Sequence, residues 1–589
     1  MQVLPLQDIK QLPDTTTMHP LLHIKDLSIQ FDTPGGPVDA LQQISITVAR
    51  NEIVAVVGES GSGKSVTSLS VLQLLPSPPA RIVQGEILFS PNGLQQQDML
   101  KLDAEGVRAI RGNQIAMIFQ EPMTSLNPVF TCGEQVMEAI RLHKKISTAA
   151  ARQQTIELFE RVKLPQPSLL FHRYPHQLSG GQKQRVVIAM AISCNPALLI
   201  ADEPTTALDV SVQKSILLLL KELQQQYGMG IIFITHDLGV VSEIADRVVV
   251  MYKGRVMEQG SAQQVLRAPQ HPYTKALLAC RPVLHERGER LPVVSDFMQV
   301  DKKGQIQEKN SIPPPVSVSE QVQSVDPAVT PLLQVQQLKV WFAGKKKLFG
   351  QQHPVTKAVD DVSFEVYKGE MIGLVGESGC GKTTLGRALL RLIEPTGGQI
   401  LFEQQDLNTQ SASSLRMLRR KMQLVFQDPY SSLNPRMKVG DALTEPLSVH
   451  GLLKNNKQRK EKAVALLEKV DLKADHFNRY PHQFSGGQRQ RIVIARALVS
   501  DPGFIVFDES VSSLDVSIQA QVLNLLGDLK KEFGFTAVFI SHDLSVVHYI
   551  SDRIFVMKEG RIVEEGLAGQ VFHHPRTPYT QQLINSILR

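Results

Sequence analysis

The chain carries its main motifs twice. GESGSGKS at Gly58 to Ser65 returns as GESGCGKT at Gly376 to Thr383, and RYPHQLSGGQKQR at Arg173 to Arg185 returns as RYPHQFSGGQRQR at Arg479 to Arg491. FITHDL around His236 returns as FISHDL around His542. Duplication is therefore the organising fact, and at 589 residues the chain is long enough for two or more separate cores. Ser179 and Ser485, Glu203 and Glu509, and His236 and His542 are each 306 positions apart, whereas Lys64 and Lys382 are 318 apart. The first copy thus holds a surplus before Gln120 that the second lacks before Gln427, and the loop-like SPNGLQQQDMLKLDAEG is its expected place. The spacing predicts an N-terminal extension over 1–20, a first copy with its tail over 21–281, a linker over 282–330, and a second copy with its tail over 331–589. The linker is poor in aromatics, with IPPPVSVSEQVQSV at its centre, and reads as extended and semi-flexible; an ordered strap packed on one copy is the competing reading.

Composition removes several function classes. Hydrophobic residues make up 42% and charged residues 20%, ordinary for a folded protein. A net charge of +6, from 63 basic and 57 acidic side chains, argues against a dedicated nucleic-acid binder. No run approaches the roughly 18 apolar residues that span a bilayer, since stretches such as Ile216 to Leu220 are interrupted by Lys221. The first residues lack the basic and apolar segments of a secretory signal, so a cytosolic location is expected. Cys132, Cys194, Cys280 and Cys380 have no metal-ligand spacing, fit reduced thiols, and suggest no function.

A phosphate-binding loop needs glycines where the backbone turns, a lysine for the terminal phosphates and a hydroxyl for Mg²⁺. Gly58, Gly61, Gly63, Lys64 and Ser65 supply these in the first copy, with Glu59, Ser60, Ser62 and Val66 completing the nucleotide-binding stretch. Gly376, Gly379, Gly381, Lys382 and Thr383 do so in the second, with Glu377, Ser378, Cys380 and Thr384. IVAVV (53–57) and MIGLV (371–375) read as buried parallel strands entering the loops, and helix-like segments leave them. A second apolar strand in each copy ends in paired carboxylates, where parallel sheets bind ligands. Asp202 and Asp508 would hold Mg²⁺ through its water shell, while Glu203 and Glu509 would orient or deprotonate an attacking water. The second copy reads DES where the first reads DEP; Glu509 is retained, so Ser510 alone does not argue for a dead site.

These motifs define only a nucleotide-hydrolase superfamily. LSGGQ (Ser179, Gly180, Gly181, Gln182) and FSGGQ (Ser485, Gly486, Gly487, Gln488) are more specific and resemble the signature of ATP-binding cassette proteins. Their Ser and paired Gly form a helix N-terminus whose amides can face an anion, with simple helix capping as the plainer reading. The resemblance covers nearly all of both copies. It implies an α/β fold of two P-loop cassettes, each with a RecA-like core, an antiparallel β subdomain and an α-helical signature subdomain. It also implies ATP and Mg²⁺ as ligands and an intramolecular head-to-tail pairing, in which Ser485 and Gly487 complete the site at Lys64, and Ser179 and Gly181 the site at Lys382. By the same resemblance Gln120 and Gln427 sense Mg²⁺ and water, His236 and His542 are switch histidines at the γ-phosphate, and Asp209 and Asp515 belong to D-loops. Mg²⁺ would thus be served by Ser65, Gln120 and Asp202, and by Thr383, Gln427 and Asp508. Phe31 and Phe342 are adenine-stacking candidates, with core packing an equal alternative and Trp341 a neighbour of Phe342.

EPMTSLNPVF and DPYSSLNPRM after the Q-loop glutamines, and HPYTKALL (271–278) and TPYTQQLI (577–584) near the cassette ends, match bacterial dipeptide and oligopeptide importers, a group that includes glutathione and nickel uptake systems. The resemblance implies an ATPase at the cytoplasmic face of the inner membrane, two transmembrane permease subunits and an extracytoplasmic substrate-binding protein as partners, and no nucleic acid. Met123 to Phe130 and Tyr430 to Lys438 are the candidate docking surfaces. Some members carry a cysteine-rich iron-sulfur motif after the HPYT segment; with only Cys280 at the first copy and none at the second, no cluster is expected. A soluble tandem cassette of translation or DNA repair is the rival, but its usual long charged linker or Cys-bearing insertions are not in this text. A regulatory module that binds ATP without turnover would need a lost Glu, His or signature Ser, and both copies keep theirs. Nothing in the cassettes specifies the transported molecule.

Overall fold

The computed structural model describes residues 19–33, 35–120, 125–206, 208–300, 306–309, 330–343, 355–512 and 514–587. They form two compact units. The first holds the described residues up to Pro204 with Leu219–Thr235 and Ile244–Ala262; the second holds Thr205–Leu218, His236–Glu243 and Gln263 onward.

The first unit is built on a six-stranded sheet in the order Arg255–Ser261, Arg247–Tyr252, Ile53–Val57, Gly230–Thr235, Leu198–Asp202, Ile115–Ile118. Neighbours are parallel except the first pair. Ile53–Val57, Leu198–Asp202 and Gly230–Thr235 are buried at every position, as unbroken apolar runs require when both faces of a sheet are covered. A four-stranded antiparallel sheet (Gly36–Val48, Leu22–Thr33, Ala80–Phe89, Gln97–Asp98) shares one apolar core with it, in which Leu22, Ile24 and Ile46 meet Val54, Val56 and Ile200. Helices Cys132–His143, Thr148–Arg161 and Gly180–Ala191 make the helical part.

The second unit repeats the plan. Its large sheet runs Met422–Val425, Phe504–Asp508, Thr536–Ile540, Met371–Val375, Arg553–Lys558, Arg561–Leu567. The antiparallel sheet is Thr356–Val366, Leu333–Phe342, Gly397–Phe402, Gln405–Asp406, and the helices are Val439–Val449, Asn456–Lys469 and Gly486–Leu498. Each copy thus has the α/β core, the antiparallel sheet and the helical part that the sequence implied.

The length surplus of the first copy is divided. Residues 90–96 join Ala80–Phe89 to Gln97–Asp98 where 403–404 suffice in the second copy, and a further five residues separate Leu72 from Phe89 beyond those separating Leu390 from Phe402. Only part of it therefore lies in the segment that the sequence singled out.

The first stretch of the region read as a linker is ordered. A 3-10 turn at Pro282–Leu284, a short helix at Val294–Phe297 and an antiparallel pair, Met298–Val300 with Ile306–Glu308, follow Cys280. Cys280 and Leu291 are buried in the same core as Leu523, Leu526 and Val547 of the second copy. Asn524 fastens the strap from both sides: its Nδ2 donates to Leu291 O at 2.8 Å, and Leu291 N donates to its Oδ1 at 3.0 Å. The Tyr549 hydroxyl donates to Glu289 O at 2.7 Å, and burial pushes that phenol up to about 12. The strap alternative holds for these residues; 301–305 and 310–329 lie outside the described residues, as do 1–18 of the N-terminal extension. Asn524→Ala strands two buried backbone groups at about 1–3 kcal/mol each, so amide exchange at Leu291 should quicken about 100-fold in native-state hydrogen-exchange measurements.

Candidate active site

Each phosphate-binding loop joins the end of a buried strand to a helix of eight residues, Lys64–Val71 or Lys382–Leu389. The first loop glycine has φ +150 at Gly58 and +152 at Gly376. A Cβ at either would stand 2.1 Å from a carbonyl oxygen of the neighbouring strand, that of Met251 or Met557, so the loop closes on that strand only because no side chain intervenes. Lys64 Nζ donates to Gly58 O at 2.7 Å and Glu59 O at 2.9 Å; Lys382 Nζ donates to Gly376 O at 2.7 Å and Glu377 O at 3.0 Å. A buried cation thus lies inside the curve of each loop, beside helix N-terminal amides, an arrangement that suits phosphate.

The carboxylate pairs end the strands Leu198–Asp202 and Phe504–Asp508. Glu203 and Glu509 both adopt φ +47, a left-handed conformation costing a non-glycine residue about 1–2 kcal/mol. The fold holds them there by matching bonds, Glu203 N to Ile234 O and Glu509 N to Ile540 O, each 3.0 Å. Strain retained at the same residue in both copies points to use of that side chain.

Asp202 and Asp508 are buried. Desolvation pushes Asp202 up to about 6, aided by the charge of Glu203 and opposed by a hydrogen bond with Ser65 and by Lys64. Asp508 is raised for the same leading reason, opposed by Thr383, whose Oγ1 donates to Asp508 Oδ1 at 2.9 Å. Asp202 Oδ1 is buried without a hydrogen-bond partner among the described residues. A carboxylate that is costly to ionise, with an unpartnered oxygen and a hydroxyl beside it, fits a hard dication.

The Q-loop glutamines reach the glutamates. Gln120 Nε2 donates to Glu203 Oε2 at 3.1 Å and Gln427 Nε2 to Glu509 Oε2 at 2.9 Å. In the second copy His542 Nδ1 also lies 3.5 Å from Glu509 Oε2. Burial alone would raise Glu509 and lower His542; their mutual hydrogen bond and charge outweigh it, so the carboxyl titrates below its ordinary range and the imidazole above 6.5. The pair's contribution therefore fades as pH falls through the lowered carboxyl value and as it rises through the raised imidazole value, leaving it intact between them. An NMR titration of His542 should give a midpoint above 6.5 that drops in Glu509→Gln. His236 follows Gly230–Thr235 as His542 follows Thr536–Ile540.

Ser179 and Ser485 are N-caps of their signature helices. Each Oγ accepts from the N–H of Gln182 or Gln488 at 3.4 Å, and each N–H donates to that glutamine's Oε1 at 3.2 Å. The capping reading therefore holds, and it also fixes the helix-start amides in a presented orientation. Within the second unit, Asp209 Oδ1 accepts from Ser378 N at 2.6 Å, and Ser211 Oγ donates to Glu377 Oε1 at 3.0 Å. Asp515 occupies the N-cap position of Val516–Phe533, without a side-chain capping bond. Phe31 is partly buried against the core, whereas Phe342 is 46% exposed, and the indole of Trp341 donates to Asp360 with Lys357 over its ring. Sequence reasoning passed over Ser211 and Tyr579, whose hydroxyl accepts from Glu377 N at 3.1 Å. Tyr579 stands inside the TPYT segment, which was the available signal.

The ABC transporter family model matches residues 41–206 and 359–512, and the oligopeptide/dipeptide transporter C-terminal region matches 257–299 and 563–589. The glutathione import ATP-binding protein GsiA of Salmonella typhimurium is 48% identical over 568 residues, 96% of this chain and 89% of the relative. That of Escherichia coli K12 is 47% identical over 572 residues with the same coverage. The cassette MJ0796 bound to ADP and Pi, a solved dimeric structure, is 27% identical, covering 40% of this chain and 98% of its own, with a TM-score of 0.36.

Proposed function

The chain belongs to the ABC transporter family, and from that premise we propose that it powers uptake of glutathione or a related short peptide through two ATP sites, each completed by the signature of the other copy. It is an ATP hydrolase, the ATP-binding subunit of an importer, and no described helix is long and apolar enough to cross a membrane. The observation that carries the mechanism is the Gln–Glu contact present in both copies, Gln120 with Glu203 and Gln427 with Glu509.

Phosphoryl transfer to water requires an aligned nucleophile and compensation of charge on the phosphate oxygens. Lys64 and Lys382 supply positive charge where the loops turn. Mg²⁺, bound beside Ser65 and Asp202 or Thr383 and Asp508, would neutralise the phosphate oxygens. Glu203 and Glu509 accept the proton of the attacking water, and Gln120 and Gln427 fix the carboxylate that does so. His542 shares its partner's charge, which keeps Glu509 ionised and able to accept. The shared-site arrangement is supported by the bond of Asp209 to the loop amide of Ser378, which couples a D-loop residue to a phosphate loop.

Permease docking would use the segments after the Q-loop glutamines. Val129, Phe130 and Tyr430 are exposed there, and the Arg489 guanidinium lies 3.9 Å over the Tyr430 ring; Met123 lies outside the described residues. Copurification from membranes in mild detergent tests the importer reading. Two multi-span subunits should accompany the chain, and Phe130→Asp with Tyr430→Asp should lower their recovery about 30-fold, as the loss of interface anchors worth about 2 kcal/mol implies. Glutathione-loaded binding protein should stimulate ATP turnover by the reconstituted complex. Recovery of ribosomal or DNA-repair components instead would overturn the reading.

A further inference from the structure

Three side chains distant in sequence converge in the second unit, away from the phosphate loops in sequence and in role. Glu286 comes from the ordered strap, His548 from the helix Leu544–Ile550, and His573 from the end of the helix Ala568–His573. One potential ligand atom from each lies within 4.8 Å of those of the other two, and His573 Nε2 stands 3.9 Å from Glu286 Oε1. The two imidazoles meet edge to face at 5.3 Å, and His548 stacks on Phe572 at 4.2 Å.

Core packing accounts for His548 against Phe572, but not for a carboxylate and a second imidazole gathered at the same spot. His548 is buried, and one of its ring nitrogens is among the three converging ligand atoms. The nearby cation Arg287 is paired with Asp552, which also takes Lys530, and Glu286 brings to the cluster a carboxylate that would balance an added positive charge. Two nitrogens and one oxygen are a ligand set that Zn²⁺ accepts with water in the fourth position.

We infer that Glu286, His548 and His573 form a binding site for one Zn²⁺-class dication, which ties the strap to the last helices of the second copy. Tetrahedral bonds of about 2.1 Å place ligand atoms about 3.4 Å apart, so closure asks for shifts of about 1 Å. The side chains of Glu286 and His573 are 70% and 49% exposed and can rotate to make them. The site lies five residues before Leu291, so the metal and Asn524 would fasten successive points of one segment.

The test is titration of the full-length, tag-free, nucleotide-free chain with Zn²⁺ alone, followed by calorimetry and by melting temperature, with Co²⁺ absorption as the spectroscopic readout. One equivalent should bind, raise the melting temperature and give tetrahedral Co²⁺ bands. Glu286→Gln and His573→Gln, both surface changes, should each weaken binding at least about tenfold and remove the temperature shift. No binding, or binding that survives both variants, overturns the assignment.

Discussion

Replacing Glu203 and Glu509 together by glutamine will lower steady-state ATP turnover about 100- to 1,000-fold while leaving ATP binding in place, because the amide keeps the shape of the side chain and removes its capacity to take a proton. The geometry explains why so small a change is decisive. Each glutamate sits at φ +47 at the end of a fully buried strand and is met by a Q-loop amide at 2.9–3.1 Å, so its position is over-determined. Asp202 and Asp508, one residue earlier, are buried on the strand and are engaged with Ser65 and Thr383. Single variants compare the two copies, which differ next to the glutamate at Ser510, where the first copy has Pro204, and in the loops at Ser62 and Ser65 against Cys380 and Thr383. Undiminished phosphate release in the double variant, measured with MgATP in excess, would remove both glutamates from the hydrolytic role.

The second large effect is structural. Gly376→Ala should reduce ATP affinity at the second phosphate loop about 100-fold, read from the binding of a fluorescent ATP analogue. The added methyl would stand 2.1 Å from Met557 O and 2.8 Å from Cys380 Sγ, and the first of these atoms is backbone that cannot rotate away. The loop itself must move, taking with it Gly376 O, which receives the Lys382 ammonium. Gly379→Ala supplies the comparison. Its Cβ meets nothing within 4 Å, so only the positive φ of +81 is penalised, about 1 kcal/mol or fivefold. Equal losses in the two variants would show that conformational strain, not collision with the strand, governs the loop.

Much of this was legible in the sequence because the chemistry is local. Gly58 to Ser65 and Gly376 to Thr383, the proposed phosphate loops, are eight consecutive residues each, and the strands ending at Asp202 and Asp508 announce themselves as unbroken apolar runs. The signature serines were read both as caps and as phosphate-facing, and in the structure the cap bonds are made. What depends on distant residues was hidden. Nothing in LHERGERLP, at 284–292, foretells that Leu291 enters a core with Leu523 and bonds to Asn524, 233 positions later. The φ of +47 at Glu203 and Glu509 has no sequence signature, since glutamate has no preference for that conformation, and the strain arises from tertiary bonds to Ile234 and Ile540. The meeting of Glu286, His548 and His573 likewise needed the fold.

The strap changes where this polypeptide can be divided. A cut placed beyond residue 309 would leave the second half without Leu291 and the backbone that Asn524 holds, and its exposed core edge would favour aggregation. A cut near Arg281 keeps Leu291 and Asn524 in one chain. Two-gene versions of such a protein, made by splitting this one, would therefore need the seam near Arg281, so that the second half carries the piece that seals its own core.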